Sequence, residues 1–171
     1  MDGSLVHLGY AELPSPLGPL RLALAGATLL HLDFADNAAR MDRSLGRRFP
    51  GRTLTPTALP EPLRQALEGY FAGDMTALRD VPCQTGGSPF QRAVWRALRH
   101  IGIGATTTYG ALATAIDRPG SSRAVGAAVG ANPISVVIPC HRVIGANGRL
   151  TGYAGGLERK RWLLAHEGVA V

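Results

Sequence analysis

The sequence of 171 residues predicts an α+β protein of two domains, with strands and helices in the first domain and helices in the second. Two observations support this division. Strand-like apolar patterns dominate the first half of the chain, whereas the second half shows apolar residues at helical spacing. Between the two patterns lies Pro82–Gly87, a short stretch that ends in two glycines. We therefore expect domains over 1–82 and 88–171, joined by a linker over 83–87.

The first domain begins with three predicted strands that form an antiparallel meander. Turn residues separate strands over Leu5–Leu13, Pro19–Ala25 and Thr28–Phe34. Two helices and a short closing strand are predicted after them, over Asn37–Arg48, Leu63–Phe71 and Ala77–Val81. The isolated His7 and His31 are interpreted as strand-surface or core residues, and Cys83 as incidental.

The second domain is predicted to be helical. Ser88 suits the N-cap of a helix that starts at Pro89 and runs to about Ile101, and the arginines on its other face suit either a phosphate backbone or solvent. Two short helices across a tight turn then form a helix-turn-helix pattern, from Tyr109 to Ile116 and from a Ser121 or Ser122 cap to about Ala131. A buried strand and a last helix follow, over Ile134–Ile138 and Leu157–His166.

The charge distribution points to a polyanionic partner. Residues 1–86 carry 8 basic and 9 acidic side chains, whereas residues 87–171 carry 10 basic and 3 acidic ones. The net charge of +6 therefore comes from the second half alone, which is typical either of a nucleic-acid-binding surface or of a solvated basic one.

Several classes of protein are not expected. No apolar run approaches the roughly 20 residues that span a membrane, and Met1–Ser4 does not begin a secretory signal. The chain holds only two cysteines, which indicates a reducing compartment and argues against a disulfide framework or structural zinc site. We expect a monomer without metal or cofactor, located in the cytoplasm and, in a prokaryote, associated with the nucleoid.

The second helix of the helix-turn-helix pattern has an unusual composition. Its buried face is predicted to hold Val125, Ala128 and Val129, while Gly126 and Gly130 lie on the opposite face. Glycine within a helix costs about 1 kcal/mol relative to alanine, so a bare face calls for a reason. One reason is tight packing between helices, and the other is a helix in a narrow groove. If the helix lies in a groove, Arg123 is the one long side chain on this face that can reach into the groove.

Cys140 and His141 form a candidate reactive pair directly after Pro139. A thiol must ionise to attack, and a nearby histidine favours ionisation. In a regular strand these neighbouring side chains would point to opposite faces, but Pro139 breaks the strand. A buried, inert cysteine is the alternative.

Glu167 lies at a helix C-terminus, where a carboxylate opposes the dipole, so it is either an ordinary exposed side chain or one that orients a histidine. Tyr109, considered by itself, is interpreted as a packing residue.

The run Ile138–Val143 (IPCHRV) resembles the active-site signature of the O6-alkylguanine-DNA alkyltransferases. The similarity covers nearly all of residues 88–168 in the family's order and spacing, and it is loose in the first half, chiefly at Ser15–Leu20 and Tyr70–Gly73. Within 88–168 it is carried by Phe90–Trp95, Thr108–Ala113, Arg123–Gly126, Asn132–Pro133, Gly152–Leu157 and Trp162–Glu167.

The resemblance implies a fold and a reaction. The fold is an N-terminal ribonuclease-H-like α/β domain with a helical C-terminal domain that carries a winged helix-turn-helix. The reaction is one irreversible transfer of an alkyl group from O6 of guanine, and possibly O4 of thymine, to Cys140. The partner is duplex DNA, bound through the minor groove with the damaged base rotated out of the stack.

The resemblance also implies roles for individual residues. His141 takes the thiol proton, Glu167 orients His141, Tyr109 donates a proton or hydrogen bond to the guanine ring, and Asn132 holds the turn before the active site. Arg123 fills the gap left by the flipped base. The helix face that meets DNA holds Ser122, Ala124, Gly126, Ala127 and Gly130. The pocket is lined by Val129, Val143, Tyr153 and Ala154, and backbone groups of Cys140, Val143 and Ala154 read the guanine edge.

The sequence departs from the family pattern in places. Ile101-Gly102-Ile103-Gly104 replaces the family's usual Ile-Pro-x-Gly, which predicts a more flexible loop. Gly130 replaces a basic residue found in some members, and Ala154 replaces a serine. The alternative function is a non-enzymatic alkyltransferase-like protein that binds lesions, but those proteins lack the cysteine that is present here. A Cys-His hydrolase unrelated to DNA would not account for Arg123 or the basic half.

Overall fold

The computed structural model describes residues 5–171, and nothing helical in that range is both long and apolar enough to span a bilayer. Met1–Ser4, used above in the prediction about a secretory signal, lies outside the described residues. The chain divides into two compact units, and the division falls between Thr85 and Gly86.

The N-terminal unit is built on one four-stranded sheet. Its strands are β1 (His7–Leu13), β2 (Leu20–Ala25), β3 (Thr28–Phe34) and β4 (Thr53–Pro56), in the order β3-β2-β1-β4. The first three strands pair antiparallel, as the predicted meander requires, and β4 pairs parallel with β1. A parallel pair needs a crossover, which the intervening helix provides.

Two helices accompany this sheet. α1 (Ala38–Arg48) follows a short 3-10 turn, and α2 (Glu61–Phe71) starts two residues before the predicted helix. Pro62 lies in the first turn of α2, where a missing N–H costs nothing, and Gly73 adopts a positive φ after its end. One apolar cluster joins α1 to the sheet and consists of Leu8, Ala23, Leu30, Met41 and Leu45.

Two predictions for this unit are corrected. The sequence pattern missed β4, because Thr53–Pro56 is short, mostly exposed and ends in proline. The predicted strand over Ala77–Val81 is wrong. Consecutive turns occupy this segment, since Asp74 accepts hydrogen bonds from both the N–H and the hydroxyl of Thr76 and starts a turn there. The strand-like pairing with β3 is instead a single bridge from Cys83 to Leu29.

The C-terminal unit contains four helices and a minimal sheet. The helices are α3 (Pro89–Arg99), α4 (Tyr109–Ala115), α5 (Ser122–Gly130) and α6 (Leu157–His166). The strands β5 (Thr107–Thr108) and β6 (Val143–Ile144) pair in parallel. Ser88 caps α3 in a full capping box with Gln91, as its position predicts.

α4 and α5 form the predicted helix-turn-helix and pack against each other and against α3. The Thr108 hydroxyl caps α4 by accepting from the N–H of Ala111 at 3.1 Å. Asp117 and Gly120 both adopt positive φ in the turn between the helices. The predicted serine cap of α5 is wrong in one respect, because the Ser121 side chain at the N-cap position makes no capping hydrogen bond within the described chain.

The segment Ile134–Ile138 is buried as predicted, but it is not a strand. Its backbone turns on itself, since Ile138 N donates to Ile134 O at 3.0 Å and Val137 N donates to Ser135 O at 2.8 Å. Val136 adopts a φ of 70°, a conformation that β-branched residues rarely take. An apolar run alone does not distinguish a buried strand from a buried turn.

Candidate active site

Asn132 organises the turn that precedes Cys140. Its side chain is fully buried, donates from Nδ2 to Ile138 O at 2.8 Å and accepts at Oδ1 from Ile134 N at 3.0 Å. One amide therefore satisfies two backbone groups that a strand ladder would otherwise pair. This clamp closes a compact turn, which ends at Pro139 and delivers the chain to Cys140.

Cys140 opens a 3-10 turn over Cys140–Arg142, and Cys140 N donates to Ile138 O at 2.8 Å. The turn replaces the extended geometry in which neighbouring side chains would diverge. Cys140 is 6% exposed and His141 is fully buried. A thiol and an imidazole are thus held together in one short, water-poor segment.

Glu167, the residue at the C-cap of α6, is the centre of a buried polar cluster. Its Oε1 lies 2.9 Å from Nε2 of His141. Arg142 forms a fork on the same carboxylate, from Nε to Oε2 at 2.8 Å and from Nη2 to Oε1 at 2.9 Å. The cluster connects the 3-10 turn to the end of α6, and bidentate geometry of this kind orients a carboxylate as well as stabilising it.

The cluster sets the protonation state of His141. Burial alone would raise the pKa of Glu167, but its hydrogen bonds with His141 and Arg142 lower the pKa to about 2. The pKa of His141 is lowered, chiefly by burial and against the opposing influence of Glu167. At neutral pH the pair is a carboxylate beside a neutral imidazole.

This state also fixes the tautomer of His141. A carboxylate can only accept, so Nε2 carries the hydrogen and Nδ1 presents a lone pair. Nδ1 is buried and has no hydrogen-bond partner among the described residues. This arrangement allows His141 to accept one proton at Nδ1, with the Glu167 carboxylate placed beside the imidazolium that would result.

Arg142 is a residue of the site to which sequence reasoning gave no role. Besides its fork on Glu167, Arg142 donates from Nη1 to Ile101 O at 2.5 Å. Gly104 approaches the same cluster, because a Cβ at this position would lie 3.4 Å from Glu167 O. The loop from 101 to 104, where the sequence departs from the family pattern, is thus attached to the active-site cluster. The sequence offered one signal for a role of Arg142, which is that this residue directly follows Cys140 and His141 in the quoted signature.

Lys160 is the second residue that sequence reasoning missed. Its side chain is fully buried, and Nζ donates to the carbonyl oxygens of Val143 at 2.5 Å, Thr151 at 2.7 Å and Gly152 at 3.3 Å. Burial lowers its pKa to about 8, and the Coulombic interaction with Cys140 opposes that shift. A lysine on α6 gives no hint in the sequence that it points inward.

Tyr109 is half-buried at the start of α4, and its phenol oxygen accepts from Thr151 Oγ1 at 3.3 Å. Gly126 lies beside the ring, since a Cβ there would be 3.6 Å from Cδ1 of Tyr109. Of the other predicted pocket residues, Val129 and Val143 are buried, Tyr153 is half-buried and Ala154 is exposed. The Val143 carbonyl, predicted to read guanine, already accepts from Lys160.

The outer face of α5 is exposed and small apart from one long side chain. Val125, Ala128 and Val129 are buried, as the helical spacing predicts. The exposed residues are Ser122, Arg123, Ala124, Ala127 and Gly130, and Gly126 is half-buried. A Cβ on Gly130 would meet nothing within 4 Å, so packing within the chain gives no reason for that glycine.

Metal-binding clusters were sought among residues 5–171, and no group of three or more His, Cys, Asp or Glu side chains there could hold a metal ion.

Comparison with known proteins finds relatives that match most of the chain. Residues 8–85 match the family described as the ribonuclease-like domain of 6-O-methylguanine DNA methyltransferase, and residues 89–169 match its DNA binding domain. The methylated-DNA--protein-cysteine methyltransferase of Salmonella typhimurium is 48% identical over 167 residues, which cover 96% of this chain and 98% of that protein. The Mycobacterium tuberculosis protein of the same name is 44% identical over 163 residues, covering 95% and 93%.

Solved structures agree with the fold. The crystal structure of Mycobacterium tuberculosis O6-methylguanine methyltransferase has a TM-score of 0.77 and 41% identity, over 94% of this chain and 92% of that chain. The structure of the Mycobacterium tuberculosis protein in complex with DNA has a TM-score of 0.78 and 42% identity, over 95% and 92%. The predicted fold class, a ribonuclease-like domain followed by a DNA-binding domain, is confirmed. The chain belongs to the 6-O-methylguanine DNA methyltransferase family.

Proposed function

We propose that this protein repairs alkylated DNA directly, by transferring an alkyl group from O6 of guanine to the sulfur of Cys140. The observation that carries the proposal is the buried Cys140-His141-Glu167 arrangement in the unit that also holds the helix-turn-helix. Relatives named for methyl transfer from DNA to a protein cysteine support the same reaction. The presence of Cys140 favours transfer over the alternative of lesion binding alone.

The reaction begins with the thiol proton. Nδ1 of His141 accepts this proton, directly or through one water molecule, and Glu167 stabilises the imidazolium. The thiolate then attacks the alkyl carbon, so that the S–C bond forms as the C–O6 bond breaks. The bonding electrons pass to the guanine ring, where a proton from the Tyr109 phenol neutralises the developing charge. The proton held by His141 then returns through solvent to the phenolate, so the net change moves the thiol proton to guanine.

DNA meets the protein through α5 in this proposal. The small exposed face formed by Ser122, Ala124, Gly126, Ala127 and Gly130 lets the helix backbone approach the minor groove closely. Arg123 is the long side chain on this face, and it fills the space that the flipped guanine leaves. Extrusion costs a few kcal/mol, and it costs least for a weakly paired lesion, which favours damaged over normal guanine.

The stability of the product accounts for the single turnover of the protein. A thioether does not hydrolyse, so each molecule acts once, and no group is needed to regenerate the thiol. The reaction needs no metal or cofactor, because the thiolate supplies the electron pair of the new S–C bond and guanine keeps the pair of the broken C–O6 bond. A monomeric state, a cytoplasmic location and activity toward O4-alkylthymine stay predictions.

A label-transfer experiment tests the function. The protein is incubated with duplex DNA whose O6-methylguanine carries a labelled methyl group, and the label is followed. We expect stoichiometric transfer to the protein, abolished by Cys140→Ala and retained by Cys83→Ser. Binding of the DNA without transfer would support the lesion-binding alternative, and neither binding nor transfer would refute both.

A further inference from the structure

Lys160 lies between two segments that carry different parts of the proposed chemistry. One segment runs from Cys140 to Val143, whose carbonyl oxygen accepts from Nζ at 2.5 Å. The other contains Thr151 and Gly152, whose carbonyl oxygens accept at 2.7 and 3.3 Å. Three donors of one ammonium thus meet three backbone carbonyls, which uses the full hydrogen-bonding capacity of the group.

Such a placement is costly unless it is compensated. Taking a lysine ammonium out of water costs several kcal/mol, and neutral carbonyls repay only part of that cost. Burial lowers the pKa of Lys160 to about 8, and Cys140 is the one opposing influence. A methionine would fill the same space at lower cost, so the positive charge itself requires an explanation.

The Thr151 segment reaches the other reacting group. Oγ1 of Thr151 donates to the phenol oxygen of Tyr109 at 3.3 Å. Because the phenol oxygen accepts this bond, its own hydrogen is left to be donated elsewhere. The backbone of Thr151 is fixed by Lys160, while its side chain orients Tyr109. One continuous set of contacts therefore runs from the thiol-bearing turn through Lys160 and Thr151 to Tyr109.

We propose that Lys160 is a positioning residue that holds the Cys140 turn and, through Thr151, the Tyr109 phenol in register with one another. The ammonium does this in two ways. It joins the two segments through their carbonyls, and its positive charge interacts with Cys140, which favours the thiolate over the thiol. Thr151 has the narrower task of directing the Tyr109 proton. This inference rests on the proposed function.

Matched variants separate the two tasks, all made in a Cys83→Ser background so that Cys140 is the only thiol. Thr151→Val removes the hydroxyl but keeps the shape and the carbonyl, and Thr151→Ser restores the hydroxyl. Lys160→Met removes charge and donors, whereas Lys160→Gln keeps donors without charge. Each protein is tested for single-turnover transfer from duplex O6-methylguanine DNA and for alkylation of Cys140 by iodoacetamide across pH, a reaction that does not involve Tyr109.

For the threonine variants we expect a split between the two reactions. Thr151→Val slows transfer from DNA by about tenfold to 100-fold, as expected when a reacting group is misplaced, and leaves the iodoacetamide rate unchanged. Thr151→Ser recovers the transfer rate. Equal transfer rates in Thr151→Val and the parent, or parallel losses in both reactions, would overturn the role of Thr151.

For the lysine variants we expect both reactions to change. Lys160→Met and Lys160→Gln move the midpoint of the iodoacetamide pH profile to higher pH and slow the transfer from DNA. An unchanged pH profile in variants that still melt cooperatively would overturn the electrostatic role. If the Lys160 variants do not fold, the Thr151 pair still tests the contact with Tyr109. A parent protein that transfers no label refutes the function itself, which is a different result from equal rates in parent and variant.

Discussion

The carboxylate of Glu167 lies 2.9 Å from the imidazole of His141, although Glu167 is the C-cap residue of α6. A negative charge at this end of a helix opposes the helix dipole by about 0.3–1 kcal/mol. The fork from Arg142 offsets that cost and leaves the carboxylate ionised. The unfavourable position is thus retained because it supplies a fixed anion behind His141.

Glu167→Gln is expected to slow alkyl transfer and to destabilise the protein. The amide removes the anion that stabilises the His141 imidazolium, and it leaves the buried Arg142 charge without its partner. Breaking a buried ion pair in this way costs roughly 3–5 kcal/mol. Single-turnover label transfer and urea unfolding measure the two effects.

Glu158→Gln is the matched control, because Glu158 is an exposed carboxylate in the first turn of the same helix. We expect its transfer rate to equal that of the parent and its stability to change by less than about 1 kcal/mol. Equal transfer rates in Glu167→Gln and Glu158→Gln would contradict the proton-accepting arrangement at His141.

Asn132→Ala is expected to loosen the turn that carries Cys140. The substitution leaves Ile134 N buried without its partner, which costs about 1–3 kcal/mol, and removes one of the two hydrogen bonds that Ile138 O accepts. Asn147→Ala is the comparison, because Asn147 makes one exposed bond to Arg149 N at 3.1 Å. Urea unfolding of both variants checks the difference, and similar losses in the two would show that the turn does not depend on Asn132.

The stability of the N-terminal unit is expected to fall as pH drops from about 6.5 toward about 3. His31 is fully buried, and burial, with Arg40 and Arg48 nearby, lowers its pKa to about 3. The unfolded chain takes up a proton near pH 6.5, whereas the folded chain does not, so acid favours unfolding. The difference amounts to about 5 kcal/mol when fully developed.

His31→Leu should remove this contribution and flatten the pH dependence of stability between those values. His7→Gln is the control, since His7 is exposed and bonds Thr53 at the edge of the same sheet. Thermal melting across pH measures the effect. If His31→Leu and the parent show the same slope, another group governs acid unfolding.

Arg123→Ala should impair transfer from duplex DNA but not from the isolated alkylated base. Arg123 is exposed on α5, and in the proposed mechanism it acts on base extrusion, so its loss should leave the chemistry at Cys140 intact. We expect the transfer rate from duplex DNA to fall by about tenfold to 100-fold, because the guanine is misplaced. The transfer rate from the free base should not change. Arg64→Ala, an exposed arginine on α2, controls for charge alone.

The sequence predicted the elements whose signals are local. The meander, the N-cap at Ser88 and the buried face of α5 each depend on residues close in the chain. β4 was missed because it is short, mostly exposed and ends in proline, and because its partner β1 is distant in sequence. The turn at Ile134–Ile138 was read as a strand because its apolar run carries no sign of the Asn132 clamp.

For the site, too, the roles that depend on contacts distant in sequence were missed. The resemblance assigned roles to several residues of the quoted motifs. It assigned none to Arg142, which lies inside the signature Ile138–Val143, or to Lys160, which lies outside the quoted motifs. Their functions arise from contacts with Glu167, Ile101 and Thr151, which are distant in sequence. Burial of a charged side chain is decided by tertiary packing, and no local pattern announces it.

The identity of the alkylated atom tests the account most directly. After one incubation with duplex DNA containing O6-methylguanine, the protein is digested and its two cysteine peptides are weighed by mass spectrometry. We predict one added methyl group per protein, located on the peptide that contains Cys140, with Cys83 unmodified and the DNA guanine restored. Restored guanine with an unmodified Cys140, or methyl on Cys83, would contradict the mechanism.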